Sequence, residues 1–230
     1  MRHSLFGGRS HFGLRPVAGL ITATGLVLAL STFASSQPPA GRRPIGTLGA
    51  GFFDPAAPPP PEGMIRPKPG SWDAVHPPRG YRVVLLTAGD DHPTRTLTTA
   101  VRQWADAEHV RLSTVEVKQF DRAIDGIVEA MDLRPDLVIC AGNALVDALA
   151  LVTASHLERQ FVIIGAQLPE PTVNVTASIW QGASSRGREV PDTSSSFDPH
   201  AFTRERAGAA IRAGVASVLH DLTGIVIWLE

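Results

Sequence analysis

Residues 135–148 read PDLVICAGNALVDA, and this stretch decides the fold. Leu137 to Ala141 contain no polar side chain, as expected of a strand covered on both faces in a parallel sheet. Gly142 permits a tight turn, and Asn143 suits the N-cap of the helical pattern that begins at once. A strand that feeds a helix through so short a loop presents the edge at which open α/β sheets bind ligands.

The same alternation extends in both directions. YRVVLLT from Tyr81 is a strand, and residues 88–93 (AGDDHP) form a turn. Leu97, Val101, Trp104 and Ala105 then recur at helical spacing, with Pro93 suited to the first turn. Leu112 to Val117 alternate as a second strand. A helix follows with Phe120, Ile124, Ile127, Val128 and Met131 read as one apolar face, ending before Pro135. After the opening stretch, Leu145, Leu149 and Val152 mark another helix. FVIIG and NVTASIW are strands, Ala207, Ile211, Val215, Val218 and Leu219 stripe a helix, and GIVIWLE is a final strand. Strands alternating with helices predict an α/β, doubly wound, mostly parallel sheet. Residues 181–200, rich in Gly and Ser, read as a mobile loop.

Upstream, the composition changes twice. Arg2, His3, Arg9 and Arg15 precede the uncharged run PVAGLITATGLVLALSTFAS, and small residues follow before Gln37. Residues 1–36 are therefore expected to be a signal peptide or an uncleaved membrane anchor, with the remainder outside the cytoplasm, secreted or held at the outer face of the membrane. Residues 37–80 carry repeated Pro and Gly without apolar periodicity, which predicts a disordered linker in which Phe52, Phe53 and Trp72 dock locally at most. The domain then spans residues 81–230.

Bulk properties exclude several classes. The 230 residues carry a formal charge of −1, giving no electrostatic footprint for nucleic acid. The single cysteine, Cys140, rules out an internal disulfide and reads as a small core residue. Asp90, Asp91 and His92 are adjacent, and three consecutive residues rarely all face one ion, so no metal is assigned. There is no Gly-x-Ser-x-Gly elbow and no phosphate loop with its Lys, so no catalytic residue, enzyme activity or cofactor is expected. Asn174-Val175-Thr176 is a glycosylation sequon in form.

In order and wording the domain resembles the first lobe of the basic membrane protein (BMP) family, extracytoplasmic binding proteins of ABC transporters that include purine nucleoside receptors. Family members carry Gly and two Asp after the first strand, kept here as Gly89, Asp90 and Asp91 in AGDDHPTRTLTTA. Their Pro-Asp-Leu-Val-Ile strand, followed by Gly and an Asp-Ala-Leu helix, is similar to PDLVICAGNALVDAL. FVIIG, NVTASIW and ERAGAAIRAGVASVL resemble later family segments. The likeness spans residues 81–230 and departs in three respects. No lipobox Cys follows the apolar segment, the base-stacking Phe of the first loop stands as Thr94, and GIVIWLE resembles the strand that opens a second lobe.

The resemblance implies a type I periplasmic-binding-protein-like single lobe and a ligand site at the carboxyl edge of the sheet. Asp90, Asp91, Gly142, Asn143 and Asp147 are its candidate residues, with Asp91 and Asp147 accepting from ribose hydroxyls. A small solute such as a nucleoside, an ABC permease, and a partner lobe or second copy are the partners it implies. The membrane is reached only through an uncleaved N-terminus. The residues alone allow another reading, in which Asp91 and Asn143 cap helices and Asp147 is a solvated helix residue. Function divides likewise between a solute-binding component and a protein-interaction module that has lost small-ligand binding.

Overall fold

The computed structural model describes residues 44–184 and 197–230. The signal or anchor expected over residues 1–36, and most of the loop read at 181–200, lie outside the described residues. Among those described, no helix is long and apolar enough to cross a membrane.

Among the described residues, seven strands form one sheet: β1 (Met64–Ile65), β2 (Arg82–Ala88), β3 (Arg111–Val117), β4 (Leu137–Ala141), β5 (Phe161–Ile164), β6 (Val175–Trp180) and β7 (Val226–Leu229). Every pairing is parallel, in the spatial order β1-β7-β6-β5-β4-β2-β3. The doubly wound α/β class read from the sequence is thus observed. Strands β4, β5 and β6 are buried at every position, which explains their unbroken apolar or small residues.

Among the described residues, four α-helices cover the faces: α1 (His92–Glu108), α2 (Ala123–Asp132), α3 (Val146–Thr153) and α4 (Arg204–Leu219). Alternation sorts each strand between two cores. In β2, Val83 and Leu85 join the cluster with Leu97 of α1 and Ile211 of α4. Val84 and Leu86 join the opposite cluster with Ile127 of α2 and Leu149 of α3. Gly214 lets α4 lie close against β5 and β6, because a Cβ there would stand 2.7 Å from Val162 Cγ1 and 2.9 Å from Ser178 Oγ.

Two expectations are corrected. The apolar face expected of this helix is divided: Ile127 and Met131 are buried beside Ala123, Gly126 and Ala130, Ile124 and Val128 are exposed, and Phe120, also exposed, lies in a 3-10 turn (Phe120–Arg122) before α2 begins. Small residues let the helix approach β3 closely, and the larger ones are turned aside. The second correction concerns residues 37–80, expected to be a disordered linker ending where the domain starts at residue 81. From Pro44 onward this segment packs on the domain. Phe52 and Trp72 are buried in the core of α1 and α4, and β1 extends the sheet beside β7. Backbone bonds tie the segment to itself (Gly49 N–H to Ser71 O, 2.7 Å) and to the end of the domain (Val226 N–H to Gly63 O, 3.0 Å). Isolated aromatic anchors in a Pro-rich chain need no periodicity to be buried, so the pattern hid them.

Candidate functional site

The strand order reverses between β2 and β4: the chain moves outward from β2 to β3, then returns to place β4 on the other side of β2. A crevice at the carboxyl ends of the strands is expected at such a switch point, between two loops that diverge in opposite directions. Gly89–Asp91 leaves β2 and Gly142–Asn143 leaves β4, so the structure brings four of the five candidate residues, Asp90, Asp91, Gly142 and Asn143, to this place. Asp147 stands one turn further on, in the first turn of α3.

Gly89 and Gly142 both have positive φ (81° and 82°), a conformation that glycine adopts at little cost and that turns each loop sharply off its strand. Asp91 has extended φ/ψ of −64° and 169° and caps α1. One of its carboxylate oxygens accepts the backbone N–H of Thr94 at 2.8 Å, and the other accepts the Thr94 hydroxyl at 3.0 Å. Pro93 follows in the first turn, where its missing N–H leaves nothing unsatisfied. Arg95 reaches back to the carbonyl of Asp90. This cation beside the Gly89–Asp91 loop was not among the residues picked from the sequence. Its place one turn into a capped helix was the available signal.

Asn143 does not cap α3, contrary to the sequence reading. The residue before the helix is Leu145, whose side chain makes no cap, and the Asn143 contribution is its carbonyl, which accepts from Val146 N–H at 3.2 Å. The turn after β4 runs two residues longer than a direct cap would allow, so the Asn143 side chain is displaced from the first helical N–H groups and stands exposed. Asp91, Asn143 and Asp147 all face solvent, while Gly142 is half-buried.

On the α1 side the two loop ends lie against Thr94 and Leu97. A Cβ at Gly142 would meet Thr94 Oγ1 at 3.7 Å and Leu97 Cδ1 at 3.8 Å, and one at Gly165, after β5, would meet Leu97 Cδ1 at 3.4 Å and Phe202 Cε1 at 2.6 Å. Gly165 therefore marks a point where the Phe202 ring lies close against the backbone. Phe202 stacks edge-on to Trp180 (centroids 5.0 Å, 67°) and lies 5.7 Å from Phe197, which is half exposed. The Trp180 Nε1–H donates to Ala201 O at 3.0 Å. This aromatic cluster closes the carboxyl ends of β5 and β6. No periodicity in residues 197–203 announced it.

Other groups named in the sequence have structural roles. Cys140 is buried, and desolvation pushes its thiol well above the usual range, leaving it an inert core residue. The Asn174 side chain is buried, and its Nδ2 donates to the carbonyls of Thr153 (3.2 Å), His156 (2.9 Å) and Arg159 (2.9 Å). It pins the loop after α3 to the start of β6, which excludes a glycan on the folded chain. Among the described residues no group of three His, Cys, Asp or Glu side chains could hold a metal ion.

No family model and no curated protein matches the sequence. Solved structures to which the chain is similar include an ABC transporter solute-binding protein from Aeropyrum pernix K1, at 16% identity and TM-score 0.40, over 44% of this chain and 29% of that one. An ABC transporter periplasmic solute-binding protein from Actinobacillus succinogenes 130z, with bound D-allose, is similar at 13% identity and TM-score 0.31, over 66% and 58%. A type II dehydroquinase from Butyrivibrio crossotus DSM 2876 is similar at 10% identity and TM-score 0.33, over 54% and 84%. The chain spans less than a third of the Aeropyrum protein. Binding proteins and an enzyme stand together in this set, and likenesses this distant assign no role to any residue.

Proposed function

We propose that this chain is an extracytoplasmic solute-binding component, of an ABC transporter or a surface sensor, that holds a nucleoside or similar small polar solute at the β2/β4 switch point. The observation that carries this reading is the convergence of the Gly89–Asp91 and Gly142–Asn143 loops at the reversal of strand order. The resemblance of its motif order to that of the BMP family supports it. In this reading Asp91, already oriented by Thr94, accepts a ligand hydroxyl through its remaining lone pairs. Asn143 offers a donor and an acceptor, Asp147 a second acceptor, and the two glycines let backbone approach the solute.

The test is titration calorimetry of the full chain with a panel of nucleosides and free sugars. Saturable heat that is weakened at least several-fold by Asp147→Ala supports the proposal. Absence of heat with every member overturns it. That result favours the second reading, a protein-interaction module, for which the aromatic closure by Phe202 and the narrow gap at Gly165 are the specific observations.

A further inference from the structure

β1 is an edge of the sheet, and its register with β7 sets Met64 opposite Val226 and Ile65 opposite Ile227. The next position on each chain brings Arg66 beside Trp228, on the face that Met64 shares, because side chains two apart in an extended chain point the same way. The Arg66 guanidinium accordingly lies over the Trp228 ring, 5.6 Å from its centroid. A guanidinium held on a ring by its charge spends no donor on a polar partner. The fold uses none of these donors elsewhere: among the described residues the Arg66 side chain makes no hydrogen bond and no ion pair.

Arg66 lines a cavity of about 560 Å³ formed by β1 and the segment that precedes it. Phe52 and Ile65 contribute buried side chains to its wall, and Phe53, Pro59 and Met64 contribute half-buried ones. Both the volume and the mostly apolar lining are those of a small-molecule site, in which a few polar groups orient the ligand. Asp54 is the one acid of the lining, and one of its carboxylate oxygens already accepts the Ala56 N–H at 2.9 Å. One cation against one acid leaves the lining without net charge.

We propose that this cavity binds a small monocarboxylate with an aromatic ring. The carboxylate takes paired N–H bonds from the Arg66 fork, whose donors are free and whose position Trp228 holds. The ring rests on the apolar wall, where the Phe53 ring and the Met64 thioether offer contacts that favour an aromatic body over a purely aliphatic one. Charge limits the ligand further. A single carboxylate is matched by Arg66, whereas the second charge of a phosphate or a dicarboxylate finds no cation in the lining and meets Asp54. The proposal is independent of any solute at the switch point. Three strands separate β1 from β4, which at about 4.8 Å per spacing places the two sites roughly 20 Å apart across the sheet.

The test uses the full chain and phenylacetate, with ligand-observed nuclear magnetic resonance and calorimetry as readouts. Saturable binding in roughly the 0.1–1 mM range is expected. Phenylacetamide, the neutral isostere, should bind about tenfold more weakly, because it cannot take a charge-assisted pair of bonds from Arg66. Arg66→Gln should weaken phenylacetate by about tenfold and leave the weak amide binding unchanged. The comparison of acid with amide on the unaltered chain keeps the test decisive if that variant misfolds. Phenyl phosphate, a dianion above about pH 7, should bind more weakly than phenylacetate. Four results overturn the proposal: no saturable binding of phenylacetate up to roughly 10 mM, equal binding of the amide, equal binding of phenylacetate by Arg66→Gln, or tighter binding of phenyl phosphate.

Discussion

Both carboxylate oxygens of Asp91 are committed to Thr94, one to its backbone N–H at 2.8 Å and one to its hydroxyl at 3.0 Å. A residue proposed to meet a ligand is thus also the one that starts α1. These roles separate by substitution. Asp91→Ala removes the cap and should lower stability by about 1 kcal/mol, while Asp91→Asn, which still accepts from an N–H, should cost only a few tenths. Urea unfolding of the two variants checks this, and equal losses would show that the cap is not what Asp91 contributes.

Gly165 has φ 77° and no room for a methyl group beside Phe202. Gly165→Ala should therefore destabilise by more than Gly142→Ala, whose added Cβ meets only ordinary contacts at 3.7 Å and beyond. Both substitutions share the backbone strain of positive φ, roughly 1 kcal/mol, so their difference measures the steric closure by Phe202. Thermal unfolding of the pair gives that difference directly.

The segment from Pro44 to Gly80 should behave as part of the domain. Phe52 is 1% and Trp72 is 5% exposed, and truncation of a buried aromatic to alanine costs about 3–5 kcal/mol. Phe52→Ala and Trp72→Ala should each lower the unfolding midpoint of the whole sheet, read from far-ultraviolet circular dichroism. A detached spacer would leave the midpoint unmoved.

Asp136 supplies a pH dependence at the start of β4. Partial burial pushes its carboxyl pKa up, but Arg82 outweighs this with a guanidinium bond at 2.9 Å, a backbone N–H bond at 2.8 Å and its charge, and the net result is a pKa below the ordinary value. Between the folded and unfolded pKa values the unfolded chain binds more protons, so stability rises with pH across that window. The contribution is complete above about pH 5 and is lost as pH falls through the folded value. Asp136→Asn should lower the urea midpoint slightly at neutral pH and by progressively less as pH falls through the folded value, the effect being small because both partners are substantially exposed. A variant whose destabilisation does not diminish with falling pH would contradict the assignment.

What the sequence alone determined is local. The five apolar residues Leu137 to Ala141 suited a strand covered on both faces, Gly142 allowed a tight turn, and Pro93 suited the first turn of a helix. Repetition of that unit implied parallel pairing, because successive parallel strands require a crossover. Tertiary structure decided everything that depends on which segments meet. Val117 behind Gly126 set which flank of α2 is buried, leaving Ile124 and Val128 outside despite their hydrophobicity. Space beside β7 allowed Met64 and Ile65 to become a seventh strand, in a segment with no strand signal of its own. Trp180 and Gly165 made a seat for Phe202, and three carbonyls made one for Asn174. Periodicity reports the face that a regular element turns inward. A single anchor in an irregular chain is buried only because a distant surface has a place for it, and no pattern of neighbouring residues records that place.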